Sequence, residues 1–266
     1  MNPEDVVIFS DMDGTLLSSW ELGPIIVEKN LQAMKKWRDL GGSFSIATGR
    51  NLKNALHFFH DYQMEIPVVL ANGALLYSHT TGEILHKELV PQAYIDEAIQ
   101  YFENNNRIAL VISDESEVYA VKHIHSRNIP KLDFPAQEIS LETIKSLNVL
   151  KATFVVFAED SEKVNYDLTQ FNSINEVNVM PSSIRFIEVV SKKATKALGI
   201  KRALKGLQKK IVCIGDYLND IEMLDIADIS ACPVHSHELV KKRAQITTVS
   251  NNEGAIADLI NQLLTS

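Results

Sequence analysis

Residues 6–16 read VVIFSDMDGTL, and the fold is decided by how this stretch is understood. Val6-Val7-Ile8-Phe9 is an apolar run with no polar alternation, the pattern of a strand buried on both faces of a sheet. Such strands belong to parallel sheets whose two sides are covered by crossover helices. Asp11 follows the strand directly, and Asp13-Gly14 makes a turn out of it. In open α/β sheets ligands bind outside the carboxyl ends of the strands, so a carboxylate placed there is a candidate site residue.

Outward from this strand, short apolar runs keep alternating with amphipathic stretches. Residues 25–40 have helical spacing through Ile26, Leu31, Met34, Trp37 and Leu40, stopped by Gly41-Gly42. Residues 44–47 form a second strand, 51–59 a second helix, and 68–71 a third strand ending at Asn72-Gly73. There the texture changes: residues 75–77 and 84–85 flank a Thr81-Gly82 turn and read as a hairpin. Residues 94–102 and 162–171 have helical patterns, whereas 108–112, 118–121, 151–157, 177–180 and 185–190 have strand patterns. The crossover pattern returns with a helix through 194–207 and a strand at 211–214. The fold class expected is α/β: a Rossmann-like, doubly wound parallel sheet core from residues 1–86 and 188–266, with an α+β cap domain inserted at 87–187.

Composition limits the function. The 266 residues are 45% hydrophobic and 23% charged, which excludes collagen-like, low-complexity and wholly disordered chains. With 26 Lys+Arg against 34 Asp+Glu the net charge is −8, so no long-range field draws a polyanion, and neither nucleic acid nor an anionic membrane is an expected partner. Cys213 and Cys232 cannot build a disulfide framework for a chain of this length. The first residues lack a basic region followed by a long apolar stretch, and no apolar run reaches the length of a membrane span, so a cytoplasmic protein is expected.

The informative acidic residues are those at strand ends. Asp216 follows the apolar run Ile211-Val212-Cys213-Ile214 just as Asp11 follows the first strand, and Asp220 lies one helical turn further on. If the two strands are parallel neighbours, Asp11, Asp13, Asp216 and Asp220 converge. Two unit charges about 5 Å apart repel by roughly 3 kcal/mol at an effective dielectric near 20, so such a cluster calls for a cation. Hard oxygen ligands in small number point to Mg²⁺, which is bound by one or two carboxylates together with substrate phosphate oxygens. A small phosphate ester is therefore the expected substrate. Thr48-Gly49, at the end of the second strand, offers a hydroxyl and a backbone N–H to a phosphoryl group, and Lys196 offers a compensating charge. Taken alone, an Asp-Gly pair is most simply a turn, a Thr after a strand a helix cap and a Lys solvated surface. The whole string DxDGTL is different, since average residue usage puts its chance occurrence in such a chain at on the order of one in several thousand.

DMDGTLL (11–17), SIATGR (45–50), SKKATKAL (191–198) and GDYLNDIEML (215–224), in this order, resemble the four motifs of the haloacid dehalogenase (HAD) superfamily of phosphohydrolases. The tail from 227 to 260 resembles the Cof-like sugar-phosphatase branch of that superfamily. The resemblance implies that Asp11 is the nucleophile that becomes an aspartyl phosphate. It implies that Asp13 is the general acid and base, that Asp11, Asp13, Asp216 and Asp220 form the metal site, and that Thr48, Gly49, Lys196 and Asn219 bind phosphate. Ala197 stands where the family usually has Gly, and Ser236 where the branch has a small apolar residue. Spacing locates the cap: about 35 residues between Asp13 and Thr48 hold only a loop, a helix and a strand, whereas about 150 between Thr48 and Lys196 leave roughly 100 for a small domain. That resembles members with a C2-type cap inserted after the third strand. A phosphosugar mutase shares these motifs, and a phosphoacceptor regulator would use a similar acidic pocket, although the second acid Asp13 argues against it.

Other features carry less. Arg50 and Arg185 are weak substrate-specificity candidates, and Ser182 and Ser183 lie beside the latter. The pairs His123/His125 and His235/His237 lack a third metal ligand in view. Cys213 is read as core packing, and Lys241-Lys242-Arg243 as a solvated helix face.

Overall fold

The computed structural model describes residues 1–19, 24–59, 62–121, 130–132 and 136–265; His123 and His125 lie outside them. The chain begins with β1 (Val6–Ser10), α1 (Glu28–Asp39), β2 (Ser43–Ile46), α2 (Leu52–Leu56) and β3 (Val68–Leu70), then β4 (Leu75–Ser78) and β5 (Glu83–Lys87). A middle stretch follows: α3 (Gln92–Asn104), β6 (Ala109–Ser113), β7 (Val118–Val121), β8 (Gln137–Ile139), α4 (Leu141–Ile144), β9 (Lys151–Val155), α5 (Ser161–Leu168), β10 (Val177–Pro181) and β11 (Phe186–Ser191). The last part is α6 (Lys196–Ala203), β12 (Lys210–Ile214), α7 (Ile221–Asp225), β13 (Ile229–Pro233), α8 (Glu238–Lys241), β14 (Ile246–Thr248) and α9 (Ala255–Thr265).

These strands form a parallel sheet in the order β14-β13-β12-β1-β2, with β1 between one strand from each end of the chain. A parallel bridge from Ala47 to Val69 carries the sheet on toward β3, which pairs antiparallel with β4, and β4 with β5. All five residues of β1 are buried, and alternate side chains serve different cores. Val6 and Ile8 pack with Met34 and Trp37 of α1 and Leu259 of α9, while Val7 and Phe9 pack with Ile200 of α6, Met223 of α7 and Val240 of α8. Helices on both faces are why β1 tolerates no polar alternation.

The middle stretch builds its own sheet, β10-β11-β9-β6-β7-β8, antiparallel except for β7 with β8. One face is packed by α3 and α5, through Tyr94, Phe102, Val164 and Leu168 against Leu110, Ile112, Phe154, Ile187 and Val189. Strand alternation turns Val111, Thr153 and Glu188 to the other face. This is the mixed α/β architecture expected: a parallel core with an additional sheet in the middle of the chain.

Several element ends differ from the sequence pattern for local reasons. α1 starts at Glu28 rather than residue 25, because Ile26 pairs with Leu17 in an antiparallel bridge, and its last apolar residue, Leu40, is exposed. α2 is short, capped by the Asn51 side chain accepting from the Asn54 N–H at 3.0 Å. β8, α4, β13 and β14 carry no pattern long enough to assign from periodicity, whereas α9, which the sequence reading passes over, has helical spacing through Ile256, Leu259, Ile260 and Leu263. β13 and β14 are edge-side strands in which Ser230, Pro233 and Thr248 interrupt the apolar run. No helix among the described residues is long and apolar enough to cross a membrane.

The middle core is a separate source of stability. Phe154 is fully buried in it, so Phe154→Ala should cost about 3–5 kcal/mol. The shift in urea midpoint by far-ultraviolet circular dichroism measures this.

Candidate active site

β1 and β12 are parallel neighbours in the register Phe9↔Cys213 and Ser10↔Ile214. The segments leaving them therefore emerge side by side, and the Asp11 N–H donates to the Ile214 carbonyl at 2.9 Å. Asp11, Asp216 and Asp220 each offer a carboxylate oxygen, and these atoms lie within 4.8 Å of one another. Lys196, at the start of α6 and fully buried, donates to Asp11 Oδ1 and to Asp220 Oδ1, both at 2.6 Å. The Thr195 hydroxyl caps α6 by accepting from the Leu198 N–H at 3.2 Å, which fixes the helix end from which Lys196 reaches out.

The remaining oxygens have different fates. Asp220 Oδ2 accepts from the N–H groups of Asp216 (2.9 Å) and Tyr217 (3.0 Å), so both oxygens of this buried carboxylate are engaged by the protein. Asp216 Oδ1 accepts from the Thr15 hydroxyl at 2.8 Å. Asp11 Oδ2 has no hydrogen-bond partner among the described residues. Gly14 has φ +79°, and a Cβ built there would lie 2.5 Å from Asp216 Oδ2, so the turn passes the cluster only without a side chain.

Asp13 stands apart from the other three. Its carboxylate is gripped by Arg50, Nε to Oδ2 at 2.8 Å and Nη2 to Oδ1 at 2.7 Å, in a two-point ion pair. Arg50 is itself held by the Asn54 carbonyl at 2.9 Å and by the Phe58 ring, 5.1 Å from its guanidinium carbon. Thr48 is buried; its hydroxyl oxygen accepts from the Arg50 N–H at 3.1 Å. Asn219 donates to Asn72 Oδ1 at 3.2 Å, and Gly49 adjoins Asn72 and Glu188. Arg185 lies at the opposite end of β9 and β11 from Lys151, donating to the Lys131 carbonyl at 2.8 Å. His235 contacts the Gly14 carbonyl at 2.9 Å and the His237 N–H donates to the Asp216 carbonyl at 2.9 Å, but neither ring joins an acidic group able to hold a metal. Cys213 and Cys232 are buried free thiols.

Three residues near the site were not singled out as site residues from sequence: Lys151, Glu188 and Asn72. Lys151 Nζ donates to the Gly49 carbonyl at 2.6 Å and pairs with Glu188, which also accepts from the Asn72 side chain. The available signal was a charge at the head of one apolar strand and inside another, in FIEVV (186–190).

The charges do not balance. Burial raises the Asp11 carboxyl to about 7; Lys196 opposes the rise, and the charges of Asp220 and Asp13 add to it. Asp216 is raised as well, by burial first and then by Asp11 and Asp220. Burial pushes Lys196 down, yet Asp11 and Asp220 outweigh it and hold the ammonium charged well above its ordinary range. The cluster of carboxylates thus has more negative charge than Lys196 neutralises, and its hard oxygen donors suit a divalent cation.

Comparison with known proteins bears on this geometry. Residues 8–260 match the family model of haloacid dehalogenase-like hydrolases. A protein of Mycoplasma genitalium named a putative phosphatase is 24% identical over 97% of this chain and 98% of its own. A 5-amino-6-(5-phospho-D-ribitylamino)uracil phosphatase of Bacillus subtilis is 25% identical over 97% of this chain and 96% of its own. The solved structure of a HAD subclass IIB sugar phosphatase superposes with a TM-score of 0.83, at 22% identity, over 98% of this chain and 100% of that one.

The raised Asp11 carboxyl gives a signed expectation. Between the ordinary carboxylate range and about pH 7 the metal-free folded state binds more protons than the unfolded state, so this group's contribution to stability falls as pH rises through that window. His79, lowered by burial, titrates nearby in the opposite sense, so the informative quantity is the gain on adding a divalent cation. That gain in Tm should be larger at pH 8 than at pH 5.5, by thermal scans with and without Mg²⁺. A gain larger at the acidic pH would contradict the proposed charge imbalance.

Proposed function

The chain belongs to the haloacid dehalogenase-like hydrolases and is a phosphoric monoester hydrolase, and from this premise we propose that it cleaves small phosphorylated metabolites, sugar phosphates foremost, through a phospho-Asp11 intermediate with Mg²⁺ as cofactor. The observation that carries this reading is the state of Asp11: one oxygen is held by Lys196 while the other is unengaged, at the carboxyl end of β1, between β12 and β2.

In the first half-reaction the free Asp11 oxygen attacks phosphorus, the bond to the leaving oxygen breaks, and Asp13 gives that oxygen a proton. In the second, Asp13 takes a proton from water as the water attacks the phospho-Asp11, releasing phosphate and restoring the carboxylate. Arg50 engages both Asp13 oxygens as acceptors, so Asp13 carries, delivers and recovers the proton only with that ion pair opened. Lys196 pins the nucleophile and offsets charge on the transferring group, while the Thr48 hydroxyl, the Gly49 N–H and the Asn219 amide hold phosphate oxygens. Asp11, Asp216 and the main-chain carbonyl of Asp13 would hold Mg²⁺, with Asp220 supporting them through Lys196 and the 216–217 backbone. When bound, Mg²⁺ screens the carboxylates from one another and neutralises phosphate charge.

We assign the middle stretch from α3 through β11, residues 92–191, to a cap over this site, past the limit of 187 read from sequence, because β11 pairs with β10 along its length. Lys151, at the head of β9, touches Gly49 directly, and a cap so placed excludes water and selects the leaving group. A sugar or polyol phosphate is favoured because two of the compared proteins are named for a sugar and for a phosphoribityl substrate.

Asp11→Asn should abolish hydrolysis of p-nitrophenyl phosphate, a loss of at least about a thousandfold, with an unchanged circular dichroism spectrum. Chelation should remove wild-type activity and Mg²⁺ restore it. A panel of phosphorylated metabolites, read as free phosphate, should give its highest kcat/KM on sugar or polyol phosphates. Turnover by Asp11→Asn near that of the wild type would refute the nucleophile, and activity indifferent to chelator would refute the cofactor.

A further inference from the structure

A second buried polar group joins the two sheets. Lys151 and Glu188 stand on the face of β9 and β11 turned away from α3 and α5, and they are 8% and 6% exposed. Charged residues this enclosed are kept by partners, and here the partners lead to the phosphate side of the site. Lys151 Nζ pairs with Glu188 Oε1 and donates to the Gly49 carbonyl at 2.6 Å. Glu188 Oε2 accepts from Asn72 Nδ2, and Asn72 Oδ1 accepts from Asn219 Nδ2 at 3.2 Å. A Cβ added to Gly49 would lie 3.1 Å from Glu188 Oε2 and 3.2 Å from Asn72 Oδ1, so this group packs directly on the Thr48-Gly49 loop. Ala71 and Asn72 have φ of 48° and 53°, a left-handed backbone that persists in non-glycine residues only where surrounding contacts hold it.

Donor and acceptor capacity gives these contacts a direction. An ionised carboxylate only accepts, so Glu188 forces the Asn72 NH₂ toward itself and the Asn72 oxygen toward Asn219. Asn219 must then present its NH₂ to Asn72, which leaves its second N–H available to a phosphate oxygen. At the other end Lys151 grips the Gly49 carbonyl, and because a peptide unit is planar this orients the Arg50 N–H. That N–H occupies Thr48 Oγ1 as acceptor, so the Thr48 hydroxyl proton is left to be donated.

We propose that Lys151 and Glu188 are positioning residues for phosphoryl transfer, which fix the donors of Thr48 and Asn219 toward the substrate phosphate from outside the acidic strings. The inference rests on the reading of Thr48, Gly49 and Asn219 as phosphate-binding. Lys151→Met with Glu188→Gln removes both charges together, so no lone buried charge remains, and because the amide introduced on β11 can donate as well as accept, the orientation of Asn72 is no longer forced.

The test compares wild type, this double variant, Asn72→Gly and Lys53→Ala. The readouts are Tm, kcat and KM for p-nitrophenyl phosphate, and the inhibition constant of inorganic phosphate, all with Mg²⁺. Asn72→Gly suits the left-handed backbone while removing the link between Glu188 and Asn219. Lys53→Ala breaks the exposed Lys53–Glu117 pair, 2.9 Å, between the same two parts of the chain. The double variant and Asn72→Gly should each weaken phosphate inhibition roughly tenfold and lower kcat/KM by about ten- to a hundredfold, with Tm close to that of the wild type for at least one of them. Lys53→Ala should match the wild type within about twofold. Phosphate inhibition within about twofold of wild type in Asn72→Gly or in a folded double variant overturns the proposal, as does an equal loss in Lys53→Ala, which would mean general loosening. A wild-type chain that neither hydrolyses the ester nor is inhibited by phosphate would sink the phosphate-site reading itself, and the inference with it.

Discussion

The repulsion among carboxylates at the ends of β1 and β12 is the constraint around which the rest is arranged. Parallel pairing of these two strands brings Asp11 and Asp216 together whether or not their charges are compatible, and Asp220 adds a third. The fold answers with Lys196, buried between Asp11 and Asp220, with two backbone N–H groups on Asp220 and with the Thr15 hydroxyl on Asp216. These partners consume the oxygens of Asp220 and leave an oxygen of Asp11 open. A buried carboxylate raised toward neutrality and only partly partnered is poorly placed for stability alone, and such perturbed groups concentrate where chemistry occurs.

The same constraint explains the local backbone. Gly14 must lack a side chain because the turn after β1 runs against Asp216, and the Thr195 cap sets the end of α6 from which Lys196 reaches the cluster. Arg50 keeps Asp13 out of the crowd, which separates the two acidic residues of the first motif by environment: one buried among like charges, the other half-exposed in an ion pair. Two carboxylates two residues apart thereby stand in different electrostatic environments.

The middle sheet adds a polar connection to this core. Lys151 and Glu188 are costly to bury, and their hydrogen bonds end on Gly49 and Asn72. Such networks are worth keeping only when every member is satisfied, and within this one each charged end meets a partner of opposite character. The result is that the middle sheet and the loops at Gly49 and Asn72 are parts of one hydrogen-bonded unit.

The sequence by itself determined the parallel core, the inserted middle unit and the acidic strings at strand ends. These are consequences of local order: apolar runs buried on both faces carry no alternation, and a carboxylate following such a run must sit at a strand's end. Periodicity was silent where elements are short or polar-interrupted, as in β8, α4, β13 and β14, because three to five residues cannot distinguish a strand from a loop. Only the tertiary structure decided that Asp13 turns to Arg50 rather than to the other carboxylates, that Asp220 has no free oxygen, and that Lys151, Glu188 and Asn72 meet at Gly49. Those facts depend on residues such as Asn72 and Glu188, 116 positions apart, reaching one another across two sheets, and hydrogen-bond partners at that separation leave no mark on local pattern.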